Sequence, residues 1–144
     1  MKTYLYYFLF FIPLSLLSSC DYVYNVKIEN KSSGSIGVTV FYDRQELDSI
    51  YKFNVTAYNA YLESTVNKAT LPLHIFDSIN LTAKYIIPRN ANLVIENGMN
   101  GIPDYILIKK IEINKNNKTI TYNNKSFDTL FKQKEERLWE LEIW

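Results

Sequence analysis

Strict alternation of apolar and polar residues opens the polar part of this chain, and it limits the fold more than any other feature. Tyr22, Tyr24, Val26 and Ile28 alternate with Val23, Asn25, Lys27 and Glu29. After the turn cluster Asn30-Lys31-Ser32-Ser33-Gly34, Ile36, Val38, Val40 and Tyr42 repeat the pattern. A period of two turns successive side chains to opposite faces, so each run is a strand with one face against a core. The two runs are expected to pair as an opening hairpin.

The same reading continues along the chain. Asp43 to Asp48 (DRQELD) reads as a polar connection and Tyr51 to Leu62 as a less regular strand, and Pro72 breaks the next segment. Ile79, Leu81, Ala83, Tyr85 and Ile87 share one parity, and Pro88-Arg89-Asn90 closes that strand. Leu93 to Glu96 is a short strand before the turn-rich loop Asn97-Gly98-Met99-Asn100-Gly101. Between Tyr105 and Ile113, Ile106 and Ile108 fall on one parity and Ile111 and Ile113 on the other, with Lys109-Lys110 between them. A straight strand would turn one pair outward, so a β-bulge at Lys109-Lys110 is expected. Asn114 to Lys118 is a hairpin turn into Thr119-Ile120-Thr121-Tyr122. Only one segment changes period: Phe127, Leu130 and Phe131 fall at helical spacing behind Ser126 as cap, with Asp128 and Lys132 one turn apart. Trp139, Leu141 and Ile143 alternate with Glu140 and Glu142 in a last strand.

About eight short strands separated by turn signals predict an all-β fold. The expectation is an antiparallel β-sandwich, with an immunoglobulin-like arrangement among the forms it admits, and one short helix near the C-terminus. One cysteine in 144 residues allows no internal disulfide, so packing alone must hold the fold. Few Gly and Pro residues and abundant Tyr and Phe make that feasible.

The first residues have another purpose. Met1-Lys2-Thr3 gives a positive start, Tyr4 to Leu17 is an apolar run, and small residues lead into Cys20. Charge, apolar stretch and small residues in that order form a secretory signal. Leu17-Ser18-Ser19-Cys20 resembles the lipobox of bacterial lipoproteins. That resemblance implies acylation of Cys20, removal of residues 1–19 and a third chain on the new amino terminus. Multiple acyl chains anchor stably where one does not. An uncleaved membrane helix is the alternative, but the run is short for a span and contains Pro13. Removing residues 1–19 from 144 leaves 125, enough for a single domain, 20–144. That part holds 15 Lys+Arg, since Lys2 is lost from the 16, against 15 Asp+Glu. Such balance gives no electrostatic case for nucleic acid.

Chemistry-bearing residues are sparse. Cys20 is committed to lipid, and His74 is the single histidine, set between apolar neighbours as a strand histidine. One His and no free Cys exclude the usual zinc sets. Asp43, Glu46 and Asp48, or the loop Asn97 to Asp104, offer oxygens without the spacing of a calcium loop. The expectation is no metal, no cofactor and no catalytic residue. Glu135-Glu136 and Glu140/Glu142 are the acids from which a carboxylate-dependent hydrolase would have to be built. Asp48-Ser49-Ile50, Asp77-Ser78-Ile79 and Asp128-Thr129-Leu130 each resemble the Asp-(Ser/Thr)-aliphatic O-glycosylation sequon of extracytoplasmic Bacteroidota proteins. The resemblance implies Ser49, Ser78 and Thr129 as candidate acceptors, Ser49 first because it borders a polar loop.

Val26-Lys27-Ile28-Glu29-Asn30-Lys31-Ser32 with Ile36 to Tyr42, then Leu130-Phe131 and Trp139 to Ile143, resemble small lipoproteins of the Bacteroidota. The resemblance implies an envelope β-domain and no particular activity. Three functions follow as expectations. The first is a non-enzymatic module that is structural or binds an envelope protein partner. The others are a glycan-binding surface lipoprotein and a small hydrolase. With only Asp21 as an early acid, the expected location is the outer membrane, lipid-anchored, on the periplasmic face rather than the cell surface.

Overall fold

Two sheets face each other in a sandwich-like arrangement in this computed structural model, which describes residues 22–67, 71, 73–99 and 101–144. The signal segment and Cys20 lie outside the described residues. In chain order the elements are β1 (Val23–Asn30), β2 (Ile36–Tyr42), α1 (Arg44–Ile50), α2 (Val55–Asn67), β3 (Leu73–Asp77), β4 (Thr82–Ile87), β5 (Asn92–Met99), β6 (Ile108–Lys115), β7 (Lys118–Asn123), α3 (Phe127–Leu130), β8 (Lys132–Glu135) and β9 (Leu138–Ile143). Sheet A runs β5-β1-β9-β8 and sheet B runs β3-β4-β2-β6-β7. Neighbours are antiparallel except β1 and β9, which run parallel.

The alternation of β1 and β2 is real, but the expected hairpin is not. Tyr24, Val26 and Ile28 are buried from sheet A, and Ile36, Val38, Val40 and Tyr42 from sheet B. The two strands therefore face each other across the core as an arch. Alternation fixes which face is buried and leaves open whether the next strand pairs or crosses. Asn30, fully buried, makes the crossing possible: its Nδ2 donates to the carbonyls of Gly34 (2.8 Å) and Ile87 (2.9 Å), and its Oδ1 accepts from Ser32 N (3.0 Å) and Ser32 Oγ (2.6 Å).

Two segments read as loop and strand are helices. Asp43 to Asp48 enters α1: Asp43 Oδ1 accepts from Gln45 N (2.9 Å) and Glu46 N (3.4 Å), and Leu47 is buried. Tyr51 to Leu62 leads into α2, which buries Tyr58, Leu62 and Val66, one face at i, i+4 and i+8. Asn54 Oδ1 accepts from Ala57 N (3.1 Å) at its start. Tertiary burial of that stripe outweighs the weak helix propensity of its Thr, Val and Tyr residues.

The bulge is where the spacing placed it. Lys110 opposes Phe41 and Ile108 opposes Tyr42, so Lys109 is the extra residue, and Ile108, Ile111 and Ile113 all reach the core. Ile106 does not; it precedes the strand and is exposed. Ile79 likewise leaves the expected row, 81 % exposed in the turn before β4. Asn97 to Met99 extends β5 instead of forming a loop. Gly98 faces Tyr24, whose ring would lie 2.5 Å from any Cβ there. The β6–β7 hairpin turns on Asn116 and Asn117, both at positive φ, which Asn tolerates better than most residues. α3 forms where helical spacing places it, but Ser126 Oγ donates back to Asn123 O (2.7 Å) instead of capping it, and Lys132 belongs to β8. Phe127 and Phe131 are buried against Tyr105, with ring centroids 5.3 and 5.5 Å away.

Candidate functional site

Three places carry polar chemistry. The first is a hollow of about 430 Å³ where α2 passes β5, an edge strand of sheet A. Tyr42, Tyr61, Thr65, Leu93, Ile95 and Glu96 are among its lining residues. Burial pushes the Tyr42 hydroxyl well above its usual range and that of Tyr85, its hydrogen-bond partner, up to about 12, so both stay protonated. Glu96 is the one carboxylate among the described residues of the wall. Burial raises its pKa, and its carboxylate is held by the Tyr24 hydroxyl (2.9 Å) and the backbone N–H groups of Asp104 and Tyr105. Glu96 thus staples the loop before β6 to β5. A hollow with hydroxyls, amides and one committed carboxylate among its described lining residues can bind through hydrogen bonds, and none of those residues is an activated nucleophile.

The second is the outer face of sheet A. Lys27 opposes Glu140 and Glu29 opposes Glu142 in the parallel pair β1–β9. Lys27 Nζ lies 3.3 Å from Glu140, Lys134 Nζ 3.2 Å from Glu142, and Lys31 pairs with Glu29. Carboxylate oxygens of Glu29, Glu140 and Glu142 lie within 4.8 Å of one another, a metal-like grouping that the sequence did not reveal. The lysines already neutralise them, and a cation would have to displace three ammonium groups. Burial raises the Glu140 pKa, its side chain being only 7 % exposed, whereas the Lys31 ammonium lowers that of Glu29. Glu140 and Glu142 sit on this sheet face and Glu135-Glu136 at the β8–β9 turn, so the expected acids do not line the hollow.

The third is the set of Asp-(Ser/Thr)-aliphatic triplets, which the fold separates. Ser49 is exposed on the last turn of α1, beside an open concavity of about 780 Å³ that it lines with Asp43, Asp48, Lys52 and Phe53. Asp43 there is the helix cap. Ser78 is exposed in the β3–β4 turn, where Asp77 accepts from Ile79 N (3.0 Å), Asn80 N (3.0 Å) and Asn80 Nδ2 (2.7 Å). These bonds hold the Asp77 pKa below the usual range. Thr129 is exposed in α3, but its hydroxyl donates to Ser126 O (2.8 Å). His74 falls on β3, and its side chain lies outside the described set.

Among the described residues seven aromatic rings are buried in the core, and Tyr51, Phe76, Tyr122 and Trp139 pack partly buried against it. Tyr24, Tyr42, Tyr58, Tyr85, Tyr105, Phe127 and Phe131 are buried, and the exposed Tyr22, Phe53, Tyr61 and Trp144 are scattered over different elements. Among the described residues no aromatic row lies on one sheet face, the feature a sugar-stacking platform needs. No helix among them is long and apolar enough to cross a membrane. No family profile, curated protein or solved structure matches the chain.

Proposed function

We propose that the chain is a lipid-anchored envelope protein whose β-domain is a non-enzymatic binding module. Residues 1–19 are removed, Cys20 carries the lipid, and the domain faces the periplasm from the outer membrane. The observation that carries this reading is Leu17-Ser18-Ser19-Cys20 behind a charged start and an apolar run, in a chain with no other cysteine. β1 begins at Val23, so a domain tethered at Cys20 has almost no linker. Cys20→Ser is expected to move the protein from the membrane fraction to the soluble fraction of its host; unchanged membrane retention sinks the reading.

The hollow between α2 and β5 is the binding site in this proposal. An edge strand offers unpaired backbone donors and acceptors, which favour an extended protein segment as ligand. The protonated Tyr42 hydroxyl and the amides suit that better than charged substrate chemistry. Capture of an envelope partner by the lipidated protein is expected to fail for Thr65→Arg and to survive Ile120→Ser, a change on the distant β7 edge. Equal capture by both variants refutes this location. Of the three triplets, Ser78 is the best displayed for glycosylation, ahead of Ser49, because Ile79 beside it has no packing role. Thr129 is last, its hydroxyl being engaged.

A further inference from the structure

The end of sheet A from which the chain emerges is apolar where a free surface has no need to be. Register sets Val23 opposite Met99, and Asn25 N donates to Arg137 O (3.0 Å). The Arg137 guanidinium lies 4.0 Å over the Tyr22 ring. Gly98 and Gly101 both pack on Tyr24, which brings Ile102 to the same end. Ile102 is 77 % exposed, Met99 69 %, Val23 49 % and Tyr22 40 %. Single exposed apolar residues are ordinary, but four converging on one end are a patch. The opposite end is built mainly from exposed polar residues such as Ser33, Arg89, Asn90, Asn116 and Asn117, with Trp144 and, less exposed, Ile86 as large exposed apolar residues among those described.

We infer that this end rests on the bilayer that holds the lipid of Cys20, with Met99 and Ile102 reaching the headgroup–acyl boundary and the Arg137–Tyr22 pair at headgroup level. The inference rests on the acylation of Cys20. Only Asp21 lies between Cys20 and Tyr22, a reach of about 7 Å even when fully extended, so the anchor keeps the patch at the membrane surface. Tyr and Arg are side chains with an apolar body and a polar tip, suited to that boundary. Charge at this end is mixed: Arg137 is accompanied by exposed Glu135, Glu136 and Asp104. The contact is therefore apolar in origin and independent of anionic lipid.

The test uses protein isolated from its host membrane and reconstituted into phosphatidylcholine vesicles. Met99→Cys, Ile102→Cys and, as reference at the opposite end, Ser33→Cys each carry a nitroxide; with Cys20 acylated, the introduced thiol is the only one. The ratio of collisions with oxygen to collisions with a water-soluble nickel chelate is expected to be several-fold higher at 99 and 102 than at 33, and unchanged on adding phosphatidylglycerol. Ratios at 99 and 102 equal to that at 33 overturn the inference while leaving the anchor intact, and so does a rise that requires phosphatidylglycerol. An intact mass without acyl chains removes the Cys20 reading and the inference together.

Discussion

Replacing Asn30 with Ala attacks the corner where the chain crosses from sheet A to sheet B. The Asn30 side chain makes two donations, to Gly34 O and Ile87 O, and receives two, from Ser32 N and Ser32 Oγ. Gly34 O keeps the Ser32 hydroxyl at 3.0 Å, and that hydroxyl can turn to it. Ile87 O and Ser32 N lose their partners in a buried setting. At roughly 1–3 kcal/mol for each orphaned buried group, the loss is about 2–6 kcal/mol. That is a large fraction of the roughly 5–15 kcal/mol by which domains are stable. For a domain of this size it lowers Tm by roughly 10–20 °C. Urea unfolding followed through Trp139, which packs partly buried against Tyr24 with ring centroids 6.1 Å apart, reads the change as a lower midpoint at unchanged slope. Asn30→Asp sharpens the test. It keeps both acceptances but sets a charge against two carbonyls, so its carboxyl pKa in the folded state is raised. Its stability is then fullest below the unfolded pKa and declines as pH rises through the folded value. An Asn30→Ala variant within about 0.5 kcal/mol of the parent would refute the corner's role.

Three further outcomes follow. The Asp77 carboxylate has a folded pKa below its unfolded value, so the turn's contribution is full above about pH 4 and is lost as pH falls through the folded value; the stability gap between parent and Asp77→Ala in urea melts should hold at pH 7 and close towards pH 3, and a constant gap contradicts this. Deleting Lys109 removes the bulge and turns Ile108 to the outer face, so the variant should fail to fold cooperatively by circular dichroism; a melt like the parent's would show that the bulge is dispensable. Peptide mapping of the protein from its own host is expected to find a hexose-bearing Ser78 more often than Ser49, and never Thr129; modification of Thr129 alone reverses that order.

The strands were legible because burial on a pleated sheet imposes period two, and β1, β2, β4 and β9 carry it plainly. The Lys109 bulge was legible too, since Ile108 and the pair Ile111 and Ile113, of opposite parity, cannot otherwise share a core, although Ile106 stays outside it. The helices α1 and α2 carried signals that strand-like composition masked: Asp43 and Glu46 sit three apart as in a capping box, and Tyr58, Leu62 and Val66 recur every four residues. Nothing local distinguishes a hairpin from an arch, because both bury alternate residues, so the crossing after β1 and the buried role of Asn30 were out of reach. The parallel β1–β9 pair, which gathers Glu29, Glu140 and Glu142 among their lysines, depends on contacts over a hundred residues apart in sequence. The hollow between α2 and β5 was hidden for the same reason: its walls come from segments distant in the chain.

Intact mass spectrometry of the protein extracted from its host membrane bears most directly on the proposed function. The expected species begins at Cys20, lacks residues 1–19, and is heavier than the bare polypeptide by a diacylglyceryl group and a further acyl chain. A chain that retains Met1, or one that starts elsewhere with an unmodified Cys20 thiol, would contradict it.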